Sequence, residues 1–198
     1  MRRKNCLVLC LGFALFSIFI QQTSGDSRIK IMGNGNFKSS AIVSYIMSKK
    51  PSMPRQEITV LVNEYISEAK AEGINHDLAI AQMCYATGFL TNRPLMNTHN
   101  YAGLNTDLGI SVKHGRRHLN MQEGVWAHIQ HLKGYASTEC PNREIVNRRY
   151  ALLVRRGIPG TVKTLEGLAA IWSPYNPRYE CEIVKIIREL RLYSGRSN

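Results

Sequence analysis

The sequence predicts a mainly α-helical domain that carries one small β-hairpin or loop lobe. Three observations lead to this fold class. From Pro54 onward, apolar residues recur at steps of three and four, the spacing of one face of an α-helix. The segment "LAIAQMCYATG" is instead apolar almost all round, which is typical of a helix inside a domain. Residues 91–119 lack helical spacing, and the alternation in "LGISVKHG" predicts the lobe between about Leu104 and His118.

The first two helices of the domain have clear start and stop signals. Pro54 suits the first turn of the first helix, and Gly73 suits its end. Asn75 is a good N-cap for the second helix, the apolar one, and Gly88 ends it. We therefore expect a surface helix followed directly by a buried helix.

Further helices follow the predicted lobe. Asn120 and Glu123 form a capping-box-like start for the third helix. A fourth is predicted to begin near Arg143, and a shorter fifth covers "TVKTLEGLAAIW". The last helix covers "NPRYECEIVKIIRELRLY", with Asn176 as its cap.

The first 25 residues have the composition of a secretory signal peptide. A basic start, "MRRKN", precedes an apolar run from Cys6 to Ile20, and small residues lead up to Gly25. The run is shorter than the roughly 20 residues of a membrane-spanning helix, so we expect cleavage and no permanent membrane anchor. The predicted protein is exported to a bacterial periplasm or cell envelope, or secreted. Its predicted parts are a signal peptide (1–25), an N-terminal lead-in (26–53) and one helical domain (54–193).

The chain is strongly basic. Its formal charge of +12 falls to +9 without residues 1–25, which carry three basic residues and no acid. Such a charge favours an anionic partner such as an envelope polymer, an anionic lipid or nucleic acid. Export favours the envelope over nucleic acid. The alternative is that the Lys and Arg residues only keep the surface soluble.

Three cysteines follow residue 25, too few for a disulfide framework. Cys140 and Cys181 could pair in an oxidising compartment, and the sequence leaves this open. Cys84 lies on a buried helix face, where a free cysteine behaves as a small hydrophobe. No cysteine has the exposed, electropositive setting of a catalytic thiol.

Several kinds of chemistry are not supported by motifs. His128 and His131 lie three residues apart in "AHIQH", but a catalytic zinc site needs a third ligand and usually a glutamate base. We therefore expect two solvated histidines on a helix face, and neither a metal nor another cofactor. Gly-x-Ser-x-Gly and phosphate-binding loops are also absent from the sequence.

Paired carboxylates are the remaining option for catalysis. Glycan hydrolysis needs one carboxylic acid of raised pKa and usually a second carboxylate across a cleft. Desolvation in an apolar pocket keeps such an acid protonated near neutral pH. The C-terminal end of the buried helix, facing the loop lobe, is where such a pocket would form, and Ala86 stands there.

Four blocks in order resemble the endo-β-N-acetylglucosaminidase family of bacterial peptidoglycan hydrolases, which includes the flagellar and autolysin glucosaminidase domains. They read "INHDLAIAQMCYATGFL", "NYAGLNT", "EGVWAHIQHLKGYAS" and "RRYALLVRRGIPGTVKTLEGLAAIWSPYNPRY". The resemblance covers about Pro54 to Leu192. It implies a lysozyme-like, mainly α fold, cleavage of the peptidoglycan glycan strand after N-acetylglucosamine, and no metal.

The resemblance also assigns site residues. The family's block reads Ala-Gln, three mostly apolar residues, then Glu-Thr/Ser-Gly, and its glutamate is the general acid; here Ala86 takes that place, and a methyl group cannot donate a proton. The second carboxylate of the family comes from the lobe, where the sequence offers Asp107. Glu123 is a further candidate carboxylate, although a capping role is the simpler explanation for it. Tyr150 is assigned as a cleft tyrosine. The residues assigned to substrate binding are Gln82, Asn100, Tyr101, Trp172 and Tyr179, and the spacing from Trp172 to Tyr179 is one residue longer than in the family.

Three explanations of Ala86 remain open. The chain is a natural pseudoenzyme, an engineered knock-out, or a slow enzyme that uses a relocated acid such as Asp107. Two functions also remain open: a protein that acts on or binds peptidoglycan glycan strands, and a non-catalytic structural or partner-binding envelope protein of the same fold. A glycan-binding protein should present an open groove, whereas a structural protein should fill that groove with its own side chains.

Overall fold

The computed structural model describes residues 28–104, 117–147 and 149–195. Within these ranges the β structure is limited to two isolated bridges, Lys30 to Thr164 and Met32 to Ile74. The predicted mainly α fold class is confirmed. The signal peptide and residues 105–116 of the predicted lobe lie outside the described residues and stay predictions. The helices of the described ranges are α1 (Ser39–Ser48), α2 (Arg55–Glu72), α3 (His76–Thr87), α4 (Arg93–Asn97), α5 (Met121–Ala136), α6 (Tyr150–Arg155), α7 (Leu165–Trp172) and α8 (Tyr179–Ser194).

Helix α3 lies at the centre of the fold. Every residue from Leu78 to Cys84 is at most 2% exposed. Helices α2, α5 and α8 all pack against α3, and α1 packs against α2 and α8. An interior position explains why α3 is apolar on all sides, as the sequence predicts.

The ends of α3 are fixed by the residues expected from the sequence. The Asn75 side-chain oxygen accepts a hydrogen bond from the backbone N–H of Asp77 (3.0 Å), which satisfies one of the free donors of the first turn. Gly88 follows the helix with φ of 55°, a left-handed conformation that glycine adopts without steric cost. The predicted start and end of the buried helix are confirmed.

The predicted helix starting near Arg143 is wrong at its N-terminal end, because α6 begins only at Tyr150. Side-chain hydrogen bonds from α5 hold the preceding backbone in an irregular path. The Gln130 Oε1 atom accepts from the N–H groups of Val146 (3.0 Å) and Asn147 (3.1 Å). These N–H groups are therefore not available to a helix.

The last helix also begins later than predicted, at Tyr179. Asn176 caps a turn just before it, where its side-chain oxygen accepts from the N–H of Arg178 (3.1 Å). The Asn176 amide nitrogen donates to the Tyr85 hydroxyl (2.6 Å). The turn that leads into α8 is thereby fastened to the last turn of α3.

Residues 28–53, most of the predicted lead-in, contribute to the same core as the helices that follow. Two backbone hydrogen bonds, Ile31 N to Lys163 O and Asn75 N to Ile31 O, attach this segment to the domain. The side chains of this segment that are buried in the core include Ile31, Phe37, Ile42, Tyr45 and Ile46.

No helix of the described residues is long and apolar enough to span a membrane.

Candidate functional site

The last turn of α3 is where this buried helix reaches the surface. Tyr85 and Ala86 are half-buried, whereas Thr87 is fully buried. The Thr87 hydroxyl donates to Met83 O (2.7 Å) and accepts from Leu90 N (3.0 Å), which fixes the chain as it leaves the helix. The free carbonyl groups of a helix C-terminus carry partial negative charge, so they would favour the protonated form of a carboxyl group placed there. Position 86 therefore suits a general acid, which alanine does not supply.

Behind this turn, a buried chain of hydrogen bonds joins four helices. The Gln82 amide nitrogen donates to the Tyr179 hydroxyl (2.6 Å), and the Gln82 oxygen accepts from His128 Nε2 (3.3 Å). His128 Nδ1 in turn accepts from the Tyr65 hydroxyl (3.0 Å). With the Gln82 amide oriented in this way, the neutral imidazole carries its hydrogen on Nε2. Gln82 is the donor in its hydrogen bond with Tyr179, so that bond does not use the hydroxyl hydrogen of Tyr179.

Tyr85 connects this chain to Ala86. The rings of Tyr85 and Tyr179 pack edge to face, with their centroids 5.4 Å apart. Asn176 holds the hydroxyl group of Tyr85 from the other side. Burial raises the pKa of Tyr179, so its hydroxyl group stays protonated. Two residues assigned by the resemblance, Gln82 and Tyr179, thus lie together next to the turn that carries Ala86.

The two histidines of α5 are buried, so the expectation of solvated histidines is wrong. Burial lowers the pKa of His128 to about 3, and burial followed by the charge of Arg149 lowers the pKa of His131 to about 3. Each imidazole has a hydrogen-bond partner: His128 bonds to Gln82, and His131 Nδ1 lies 2.9 Å from the Asn147 amide nitrogen. Both are neutral members of the interior, and within the described ranges no group of three His, Cys, Asp or Glu side chains could hold a metal ion.

Trp172 lies at the end of α7 and is half-buried. Its ring contacts His131 with centroids 5.1 Å apart and His128 with centroids 5.7 Å apart. Tyr135 completes the cluster, with its ring 6.2 Å from that of Trp172. Of the residues assigned to substrate binding, Trp172 keeps the most exposed aromatic surface.

Asn100 and Tyr101 are buried, each about 1% exposed. The Asn100 side chain donates to Leu104 O (2.9 Å) and accepts from Leu104 N (2.8 Å), so both ends of its amide hold the chain's own turn. The Tyr101 hydroxyl lies 3.2 Å from His99 Nδ1, and burial raises its pKa to about 12. Both side chains shape the loop that leads toward residues 105–116, and their binding role stays a prediction.

Tyr150 lies apart from this group, against the C-terminal end of α5. The Tyr150 ring packs closely against Gly134 of α5, since a Cβ atom added at Gly134 would lie only 3.0 Å from that ring. The Tyr150 hydroxyl lies 3.4 Å from Glu139 O. Its contacts are those of a packing residue of α6. The structure does not bring Tyr150 together with Gln82 and Tyr179.

Two carboxylates assigned as substitutes for the missing acid differ in outcome. Asp107 lies outside the described residues and stays a prediction. Glu123 accepts a hydrogen bond from Leu119 N (2.6 Å), while Asn120 accepts from Glu123 N (2.9 Å). This resembles a capping box, with Glu123 bonded to the residue before the Asn120 cap, so Glu123 has a helix-capping role, as its spacing favours.

Two further described carboxylates, Glu68 and Glu189, are each paired with a basic side chain. Glu68 has a raised pKa, chiefly because of burial, but its Oε2 atom accepts from Arg143 Nε at 2.7 Å. Glu189 lines a cavity of about 130 Å³ beside Tyr85. Its pKa is lowered, chiefly by a hydrogen bond from Lys49, so it is ionised rather than ready to donate a proton. Neither provides a proton donor beside Ala86.

A second, smaller cavity of about 40 Å³ opens beside Trp172. Arg149 lines it, together with His131 and Tyr135. The sequence gives only a weak signal for Arg149, the basic pair before Tyr150 in "NRRY". His131 and Arg149 are brought together by packing between α5 and the segment before α6, which spacing along the chain does not reveal.

Comparisons with known proteins identify the family of the chain. A protein of Borreliella burgdorferi, described as uncharacterized, is 29% identical over 167 residues, which cover 83% of this chain and 78% of that protein. No solved structure matches the chain. The family model described as mannosyl-glycoprotein endo-β-N-acetylglucosaminidase matches residues 62–192, which include α3, the Trp172 cluster and Tyr179. More than half of the chain is covered by that match, and the protein therefore belongs to the glucosaminidase family of glycoside hydrolases.

Proposed function

We propose that the protein is exported and binds the glycan strand of peptidoglycan, with hydrolysis weak or lost. The reaction of the family implies the substrate class. The loss of catalysis is inferred from Ala86, at the surface-reaching end of α3 where the family motif has its general-acid glutamate. General acid–base catalysis contributes about 10²- to 10⁴-fold to rate, so its absence leaves a slow enzyme at best.

The surroundings of Ala86 support binding without efficient cleavage. Gln82, Tyr179 and Tyr85 are held by the hydrogen bonds and ring contacts described above, so the frame of the site is ordered around the missing carboxylate. Trp172 offers a half-buried ring, and aromatic faces are well suited to stacking on sugars. The basic charge of the chain favours an anionic polymer.

One set of observations favours the alternative, a non-catalytic structural or partner-binding envelope protein. Gln82, Asn100, Tyr101 and Tyr179 are each at most 4% exposed, and their polar groups bond to the protein itself. Side chains occupied in this way are expected where a former groove is filled. The two functions differ in whether sugar binds at Trp172.

The test is sedimentation of purified protein with peptidoglycan sacculi, combined with measurement of released reducing ends. It is repeated from low to high salt, because binding by surface charge alone is screened by salt. Trp172→Phe is compared with the matched variant Trp126→Phe, since Trp126 lies on α5 with its nitrogen bonded to Glu64 (3.0 Å). We expect salt-resistant sedimentation with little release of reducing ends, weakened by Trp172→Phe and not by Trp126→Phe.

Two results would reject the proposal. Sedimentation that disappears at high salt, or that both tryptophan variants leave unchanged, favours the structural alternative. Rapid release of reducing ends by the native protein means that an acid other than residue 86 is active, with Asp107 the first candidate.

A further inference from the structure

We propose that Arg149 forms a subsite for the free lactyl carboxylate that N-acetylmuramic acid carries in glycan strands whose peptides have been removed. This inference rests on the proposed function, because it names a group of the same glycan strand. N-acetylglucosamine has the same ring and acetamido group but no carboxylate. In peptide-bearing strands the lactyl carboxyl group is a neutral amide. The subsite would therefore recognise N-acetylmuramic acid in strands without peptides, and would distinguish such strands from peptide-bearing ones.

The size of the cavity beside Trp172 fits a carboxylate. Its volume is about 40 Å³, and a water molecule needs roughly 10–15 Å³ of such volume, so it has room for about three water-sized groups. A carboxylate has three non-hydrogen atoms, whereas a whole pyranose ring is too large. Tyr135 and Trp172 line the cavity together with Gly103 and Leu104. A sugar would lie outside, with only its acidic substituent inside.

Arg149 supplies the group that would bind the carboxylate. Its Nε atom is buried, and in the part of the chain that the structure describes this atom has no hydrogen-bond partner. An unpaired buried donor is costly, and more so on a charged group. The planar guanidinium group matches the two oxygens of a carboxylate. A bound carboxylate would therefore satisfy a donor that has no partner among the described residues.

Asn147 holds both Arg149 and a second donor in place. Its side-chain oxygen accepts from Arg149 N (3.0 Å), which leaves its amide nitrogen to donate to His131 Nδ1 (2.9 Å). A neutral His131 then carries its hydrogen on Nε2. Because its pKa is about 3, His131 stays in this form near neutral pH. The imidazole is among the groups that line the cavity, so its N–H would serve as a second donor to the bound carboxylate.

The charge of the cavity favours an anion over a neutral group. No acidic side chain is among the described residues that line it. Burial, and then the positive charge of Arg149, lower the pKa of His131, and the same charge opposes the rise that burial causes in the pKa of Tyr135. The charge of Arg149 therefore reaches two side chains that line the cavity. The described residues that line the cavity thus include Arg149, a neutral histidine and no carboxylate, so together they carry net positive charge.

The test is titration calorimetry with two chemically matched ligands. One is a peptidoglycan glycan strand freed of its peptides, with free lactyl carboxylates; the other is the same strand with these carboxylates converted to methylamides. The proteins are the native chain, Arg149→Gln, Arg149→Lys and the control Arg155→Gln. Arg155 is exposed on α6, so its replacement changes the net charge equally without touching the cavity.

We expect the native chain and Arg155→Gln to bind the carboxylate strand roughly tenfold or more tightly than the methylamide strand, the effect of one charge-assisted hydrogen bond. Arg149→Gln should bind both strands equally. Arg149→Lys should keep part of the preference, because lysine keeps the positive charge but lacks the planar guanidinium group that matches both carboxylate oxygens. If Arg149→Gln does not fold, the preference of Arg149→Lys for the carboxylate strand is compared with that of the native chain. A smaller preference in Arg149→Lys supports the subsite, and an equal preference overturns it.

Two different failures can be told apart. Equal binding of both strands by the native chain, or a full preference in folded Arg149→Gln, overturns the carboxylate subsite and leaves the glycan-binding function standing. Binding of neither strand by the native chain rejects the proposed function, and the subsite with it.

Discussion

The two buried histidines of α5 should make the protein markedly less stable in mild acid. Each has its pKa lowered from 6.5 to about 3 by burial, so the unfolded chain binds protons below pH 6.5 that the folded chain does not bind until about pH 3. A group of depressed pKa therefore lowers stability as the pH falls through this window. The loss is complete near pH 3 and absent above about pH 7.

The size of the effect follows from these values. At pH 5.5, a histidine of unfolded pKa 6.5 that stays neutral in the folded state costs about 1.4 kcal/mol relative to pH 7.5. His128 and His131 together give about 3 kcal/mol, a large share of the 5–15 kcal/mol that typically stabilises a domain.

Urea unfolding at pH 7.5 and pH 5.5 measures the effect. His128→Gln should retain only about half of the pH-dependent loss, about 1.4 kcal/mol, because one titrating group is gone. The matched control Ile129→Val alters the adjacent buried residue of α5, and it should lower stability equally at both pH values. The reasoning is refuted if native stability is the same at both pH values, or if His128→Gln shows the full native loss.

Two further predictions concern the packing that holds the site. Glu72→Gln should lower the free energy of unfolding, measured by urea titration, by about 3–5 kcal/mol. The reason is that the buried Lys133 ammonium, 2.7 Å from Glu72 Oε2, would lose its counter-charge. A loss below about 1 kcal/mol would contradict this. Gly124→Ala should destabilise the fold by about 1–3 kcal/mol, since a Cβ there would collide with the carbonyl oxygen of His99. Gly167→Ala is its control, because a Cβ there meets its nearest neighbour at 3.4 Å and should instead gain up to about 1 kcal/mol of helix propensity; equal effects at the two glycines would contradict the close approach.

The sequence is most informative where local chemistry decides the structure. Helix α3 is predicted correctly because its apolar composition, the Asn75 cap and the Gly88 stop all act within a few residues. The capping role of Glu123 is predicted for the same reason, since its partners lie within one turn.

The errors arise where distant side chains decide. The late start of α6 depends on Gln130, which binds backbone groups 16 and 17 residues further along the chain. His128 looks like a solvated residue in sequence, yet its partners Tyr65 and Gln82 come from two other helices. Neither contact leaves a periodic signal, and both are required to build the site.

For the candidate site, the sequence identifies members but not their pairing. The resemblance points to Gln82 and Tyr179, and the structure adds the hydrogen bond between them. It also shows that the Asn100 side chain is used by its own loop. Arg149 is absent from the sequence prediction because the burial of its Nε donor, which has no partner among the described residues, is a property of packing alone.

We propose that Ala86, in place of the general-acid glutamate of the family, is the main cause of weak or lost hydrolysis. The direct measurement is release of reducing ends from peptidoglycan by the native chain, Ala86→Glu and the matched Ala86→Gln, which has the shape of glutamate without its proton donor. We predict a gain of about 10²- to 10⁴-fold for Ala86→Glu over the other two. Cleavage by the native chain at the rate of Ala86→Glu would contradict the claim, as would a folded, peptidoglycan-binding Ala86→Glu that releases no reducing ends.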